Sequence, residues 1–142
     1  MTTVRFHLLS ALSPAEVVQV LTDFGPTRPE VWPSIDAEHF VVHDRGENWA
    51  EVTEGTAAAW ERARYEWIPG GDTVTITTLD SKRFGAGGGW TFRATPESGG
   101  SRVDVEVTRM PRTLGGKLLA ALLLPVGPSA LRKSFAAPLQ AA

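Results

Sequence analysis

The hydrophobic period changes repeatedly along this chain. Over residues 3–9, TVRFHLL, the apolar Val4, Phe6 and Leu8 alternate with Arg5 and His7, which predicts a strand with one wet face. The next stretch, SPAEVVQVLTDF, moves to a helical period that puts Val17, Val20, Leu21 and Phe24 on one side. Ser13 reads as its N-cap, Pro14 as its first helical residue and Glu16 as a first-turn acid, with Gly25-Pro26 as the stop. RPEVWPSI predicts a second short helical turn, broken at Pro33. From Ala37 to Met110 the period is two, and EHFVVHD, NWAEVTEG, AWERARYEWI, DTVTITTLD, GWTFRAT and RVDVEVTRM predict six more strands. The connections between them are short and rich in turn residues, which calls for an antiparallel meander and leaves no room for crossover helices.

In RVDVEVTRM, Val103, Val105 and Val107 point one way and Arg102, Asp104, Glu106 and Thr108 the other, so the sheet has one apolar face that needs a cover. The remaining apolar segment is the C-terminal one. Leu114, Leu118 and Leu122 follow a helical spacing, Pro125-Val-Gly-Pro128 interrupts it, and Leu131, Phe135 and Leu139 resume it opposite Arg132 and Lys133. Its uncharged apolar run, Leu118 to Val126, is far shorter than the roughly 20 residues a bilayer span needs. An amphipathic helix on a membrane surface would leave the sheet's apolar face wet, at about 25 cal/mol per Å². A core-packing helix is therefore expected.

Three stretches, LSPAEVVQVLTDFGPTRPEVWPSI (Leu12–Ile35), AWERARYEWIPGGDTVTITTLDS (Ala59–Ser81) and GWTFRATPESGGSRVDVEVTR (Gly89–Arg109), carry a resemblance to a known superfamily. In element order and core chemistry the chain resembles the SRPBCC, or START-like and Bet v 1-like, proteins, most of all their bacterial polyketide cyclase/dehydrase and lipid-transport branch. The resemblance implies an α+β helix-grip fold over residues 1–142 as one domain. Its curved seven-stranded antiparallel sheet would wrap a long C-terminal helix, with two short helices after the first strand and a hydrophobic cavity under the C-terminal helix. Members bind sterols, lipids, polyketides or aromatic molecules, and some cyclise polyketides. On that basis the Pro125–Pro128 interruption would be a bend near a cavity mouth.

Composition narrows the chemistry further. The 142 residues contain no cysteine, which removes disulfides, thiol nucleophiles and thiolate metal sites. Met1-Thr-Thr-Val-Arg-Phe-His is not a basic n-region with an apolar run behind it, so the cytoplasm is the expected location. The net charge of −2 is unevenly spread. From Val107 onward Arg109, Arg112, Lys117, Arg132 and Lys133 stand without an acid, leaving nine basic against sixteen acidic residues before it, a balance of −7. Such a tail would either dock on its own acidic body or meet an anionic surface. Five dispersed cations without interleaved aromatics are not a nucleic-acid footprint.

His39 and His43 lie about 13 Å apart if both sit on one strand at about 3.3 Å per residue, too far to share a metal. GAGGGW lacks the last glycine of a dinucleotide loop and precedes a strand, so it is expected to be a flexible hairpin connection, with a possible gating role at a cavity rim. No nucleophile elbow or catalytic triad is visible, and neither a metal nor a cofactor is implied.

The aromatics are more informative. By alternation Trp90, Phe92 and Ala94 share one face, as do Ala63, Tyr65 and Trp67. Trp32, Phe40, Tyr65, Trp67, Ile76, Trp90 and Phe92, with Leu118 and Leu122 from the C-terminal segment, are the candidate cavity wall for a hydrophobic small-molecule ligand. Glu61 shares the face of Tyr65 and would be a candidate acid or base, whereas a bulge in its strand would turn Arg62 or Arg64 inward instead. Asp80 is a further candidate. A cavity with one or two polar groups would suit a carrier; a convergent acid, base and hydroxyl set would suit a cyclase.

Overall fold

Ser13 and Glu16 close a reciprocal cap: Glu16 N–H donates to Ser13 Oγ at 3.3 Å, and Ser13 N–H donates to Glu16 Oε1 at 3.0 Å. This starts helix α1, Pro14–Leu21, where the sequence places it. The helix buries Val17, Val18 and Leu21, with Val20 only partly covered, so its inner face is rotated slightly from the expected one. Phe24, beyond the helix end, is also buried. Helix α2, Arg28–Val31, is a single turn that ends at Trp32.

The protein's structure is a computed structural model that describes residues 2–111 and 133–140. Seven strands, β1 (Thr2–Ser10), β2 (Val41–Arg45), β3 (Trp49–Glu54), β4 (Glu61–Trp67), β5 (Thr73–Ser81), β6 (Phe84–Glu97) and β7 (Gly100–Pro111), form one antiparallel sheet. Its order is β1-β7-β6-β5-β4-β3-β2. Consecutive strands pair from β2 to β7, and β1 closes on β7 with Phe6 opposite Val105. The alternation works as the sequence predicts. Val4, Phe6, Leu8, Val103, Val105 and Val107 are all buried on the inner face. The outer face carries charge pairs such as Arg5–Glu106 at 2.8 Å.

Three local features differ from the sequence expectation. The strand expected from Glu38 starts only at Val41, because Asp36 caps a 3-10 turn over Ala37–His39 and accepts the His39 N–H at 2.9 Å. The glycine-rich segment is not a hairpin loop. It is the first part of β6, bulged between Gly85 and Gly89 against β7. The turn itself falls at Lys82-Arg83, where Ser81 Oγ accepts the Arg83 and Phe84 N–H groups, each at 3.2 Å. Finally, the irregularity that decides which residues face inward near Glu61 lies in β5. Arg62 pairs with Asp80 but Ala63 with Thr78, leaving Leu79 as the extra residue. Thr78 and Ser81 therefore point into the protein while Leu79 and Asp80 face out.

Leu114, Leu118, Leu122 and the Pro125–Pro128 interruption lie outside the described residues, and with them most of the expected long C-terminal helix. Residues 133–136 are helical, and Phe135 and Leu139 are buried while Lys133 is exposed. This segment is tied to the end of β1: the Ser10 hydroxyl donates to the Leu139 carbonyl, and Ala11 N–H donates to Gln140 O at 3.1 Å. No helix among the described residues is long and apolar enough to cross a membrane.

Candidate functional site

Between the inner face of the sheet, α2 and Phe135 lies a cavity of about 290 Å³. One side of it is aromatic. Phe135 sits edge-on to Trp32, Trp90 and Phe92 at centroid distances of 5.6, 5.7 and 5.3 Å. Trp90 and Phe92, two apart on β6, lie nearly parallel at 6.0 Å. These are favourable ring geometries, and they hold rigid walls around an apolar space. Ile35 and Ile76 complete that side.

The other side is polar and built on one cross-strand pair. Glu54 at the end of β3 is opposite Glu61 at the start of β4, and both side chains line the cavity. Two like charges directly opposite each other destabilise a sheet unless each is compensated. Each has its own arginine.

Glu54 is met by Arg28 of α2, whose Nε–H donates to Glu54 Oε2 at 2.8 Å. The remaining guanidinium donors bind the Leu21 carbonyl at 3.2 Å, the Asp23 carbonyl at 2.8 Å and the Tyr65 hydroxyl oxygen at 3.2 Å. The guanidinium carbon also lies 4.6 Å from the Phe24 ring centroid. Arg28 is only 3% exposed, so it is held by packing and hydrogen bonds together. Burial works to lower its pKa, but interaction with the Tyr65 oxygen and the Glu54 carboxylate outweighs this and raises it. The Tyr65 hydroxyl in turn donates to Glu54 Oε1.

Glu61 is met by Arg109 of β7. Arg109 Nη1 and Nη2 donate to its two carboxylate oxygens at 3.0 and 3.4 Å, and Nη1 also reaches Thr78 Oγ1 at 3.2 Å. The Thr78 hydroxyl donates to Glu61 as well. Trp90 and Phe84 flank the Arg109 guanidinium, with centroids 4.9 and 5.0 Å away. These two rings stand on either side of the glycine bulge in β6.

Burial, the Glu54 charge and its hydrogen bond together push the Tyr65 hydroxyl well above its ordinary pKa of 10, with Arg28 opposing. The phenol is therefore neutral over the ordinary pH range. Stability owed to Tyr65 is constant below about pH 10. Above that the unfolded chain releases a proton that the folded chain keeps, and stability falls by about 1.4 kcal/mol per pH unit. Because the chain has one tyrosine, tyrosinate absorbance reports this group alone. Its ionisation is expected to coincide with alkaline unfolding as followed by circular dichroism. An ordinary titration curve in the folded protein would contradict this.

Of the residues singled out in the sequence, Trp32, Glu61, Tyr65, Ile76, Trp90 and Phe92 line the cavity. Phe40 packs against the core elsewhere, and Trp67 packs on Phe24 at 6.2 Å. Arg62 and Arg64 stay on the outer face, where both reach Glu51, at 3.5 and 3.7 Å. Asp80 faces out beside Arg62, since the β5 bulge turns Thr78 inward instead. Leu118 and Leu122 lie outside the described residues. His39 Nδ1 contacts Asp36 Oδ1 and His43 Nε2 contacts Thr53 Oγ1, both at 2.7 Å, and the two histidines occupy different elements. Among the described residues no three metal-binding side chains gather.

Arg28, Glu54, Thr78, Arg109 and Phe135 are lining or supporting residues that the sequence reading did not select. Phe135 belongs to the helical face expected to pack on the core, Thr78 continues the phase of Val74 and Ile76, and two others had a signal of the same kind. Arg109 continues the phase of Val103, Val105 and Val107, and Glu54 that of Ala50 and Val52, so both belong on the inner face. Arg109 is thus a core residue rather than part of a basic tail. Nothing in the four-residue α2 marks Arg28 as buried.

No protein-family model matches the chain, and the comparison with curated proteins yields no match. Solved structures do match. A Thermus thermophilus protein superposes with a TM-score of 0.76 at 16% identity, over 97% of this chain and 94% of its own. An aromatase/cyclase from a Streptomyces species gives 0.67 at 16% identity, over 94% and 83%. A START superfamily protein from Mycobacterium smegmatis gives 0.66 at 15% identity, over 99% and 98%. The chain has the SRPBCC/START-like fold. Among the described residues, α2 and Phe135 border its cavity on the inner face of the sheet.

Proposed function

We propose that this START-like cavity binds a small, largely apolar molecule containing fused or linked rings. The observation that carries the reading is the rigid aromatic wall of Trp32, Trp90, Phe92 and Phe135 facing a compact polar cluster across about 290 Å³. That volume is at the lower end of the range for small-molecule sites, about 300–1,000 Å³, which favours a few rings over a long lipid. N-phenylnaphthylamine, a neutral dye that brightens in apolar sites, is expected to bind saturably. Ser34 is exposed at the cavity edge, so Ser34→Trp would fill the opening without disturbing the core. The variant is expected to lose dye affinity by about tenfold or more at an unchanged melting temperature. No dye binding by the native protein, or equal binding by the variant, would sink the proposal.

A second reading is catalytic, as a polyketide cyclase or aromatase. It draws on the same cluster, because the lining holds more polar groups than a plain carrier needs: two carboxylates, two guanidiniums and a neutral phenol. Glu61 or Glu54 would act as base and the Tyr65 hydroxyl as proton donor to a bound polyketone. Mass spectrometry of a ligand incubated with the protein separates the two readings. Under the carrier reading the ligand is recovered unchanged; a cyclising dehydration returns it lighter by one water.

A further inference from the structure

Within the binding reading, on which this inference rests, we propose that the cavity selects neutral, hydroxyl-bearing ring molecules and rejects ions of either sign. The argument starts from the charge pattern. The charged groups lining the cavity, among the described residues, are Arg28, Glu54, Glu61 and Arg109. They sum to zero, and each is already matched. Arg28 is joined to Glu54 at 2.8 Å and Arg109 to Glu61 at 3.0 Å. All four are largely buried, with side-chain exposures between 2% and 18%.

An anionic ligand entering this cluster would compete with Glu54 or Glu61 for its arginine and leave a largely buried carboxylate unpaired. A cation would do the same to an arginine. Either outcome carries the desolvation cost of an uncompensated buried charge, which a matched ion pair avoids. A neutral hydroxyl has no such cost. It also has somewhere to donate. A carboxylate offers about four acceptor positions. Among the described residues Glu54 accepts from Arg28 and Tyr65, and Glu61 from Arg109, by two donors, and Thr78. By that count acceptor capacity is left on both carboxylates, which line the same cavity as the aromatic rings. The site therefore reads a ligand's ring system by stacking and edge contacts, and its head by an O–H donor that leaves the ion pairs intact.

Three probes with one ring system and different heads test this: β-naphthol, β-naphthoate and β-naphthylmethylammonium, each used at neutral pH to displace N-phenylnaphthylamine. Naphthol is expected to displace the dye at concentrations about tenfold or more below those of either ion. Equal potency of the three, or preference for an ion, would overturn the inference while leaving the dye-binding result, and with it the carrier reading, in place. If the dye itself does not bind, the carrier reading falls and takes this one with it. The variant Glu61→Gln sharpens the test, since it keeps the side chain's shape and leaves Arg109 unmatched. Naphthoate is then expected to gain about tenfold relative to naphthol, and no gain would also overturn the inference. The comparison of the three probes on the native protein stands by itself should the variant fail to fold.

Discussion

Arg28→Met is expected to destabilise the protein by about 3–5 kcal/mol in urea unfolding, because it strands Glu54 in a buried site. The arginine makes four hydrogen bonds and covers the Phe24 ring, so methionine replaces its packing but none of its charge. The double variant Arg28→Met/Glu54→Leu removes both charges and is expected to recover most of that loss, since apolar replacement of a whole buried pair is often neutral. Recovery would show that the ion pair specifies how α2 sits against the sheet more than it stabilises the fold. A single variant within 1 kcal/mol of the native protein, roughly the worth of an exposed pair, would mean that Glu54 stays solvated.

Gly89→Ala is expected to cost about 3 kcal/mol or more, a large value for one added methyl group, because overpacking rarely exceeds that range. A Cβ at Gly89 would stand 1.9 Å from the Ile76 carbonyl oxygen, and one at Gly88 would stand 2.3 Å from the Thr108 oxygen. These are backbone atoms of the flanking strands β5 and β7, so relief requires the sheet to open. Gly87 has φ of +102° but finds nothing closer than the Met110 side chain at 4.0 Å, so Gly87→Ala is expected to cost only its backbone strain, about 1–3 kcal/mol. Thermal unfolding of the two variants orders them. Equal melting temperatures would contradict the close-approach account of the bulge. These glycines serve packing: they let β6 press between its neighbours and bring Phe84 and Trp90 to either side of Arg109.

That segment shows where reading the sequence runs out. GAGGGW has the composition of a loop, and a loop between two strands is the natural inference from glycine's freedom. Its true role follows from how closely β5 and β7 approach it, which no local pattern encodes. The 3-10 turn over Ala37–His39 is a milder case. Asp36 is visible as a capping residue, yet EHFVVHD is alternating enough to suggest a strand from its first position.

Sequence by itself determined most of the elements and, along β1, β7 and the second half of β6, the face each side chain occupies. The face of β4 stayed open, since a bulge there would turn Arg62 or Arg64 inward, until the register placed the irregularity in β5. The start of α1 at Ser13 and Pro14, the seven strands and the inward Val4, Phe6, Leu8, Phe92, Val103, Val105 and Val107 follow from capping chemistry and a period of 2.0. These are set by local backbone geometry and need no knowledge of partners. What only the tertiary structure decided is which inward residues meet. Arg28 and Glu54 are 26 positions apart, and Glu61 and Arg109 are 48 apart. Alternation could place three of these four on the inner face, but their pairing depends on strand register, on the β5 bulge that admits Thr78, and on where a single helical turn comes to rest. A charge on an inner face is costly until its partner arrives, so the polar half of the cavity exists only once the sheet has closed from β1 through β7 and α2 has docked upon it.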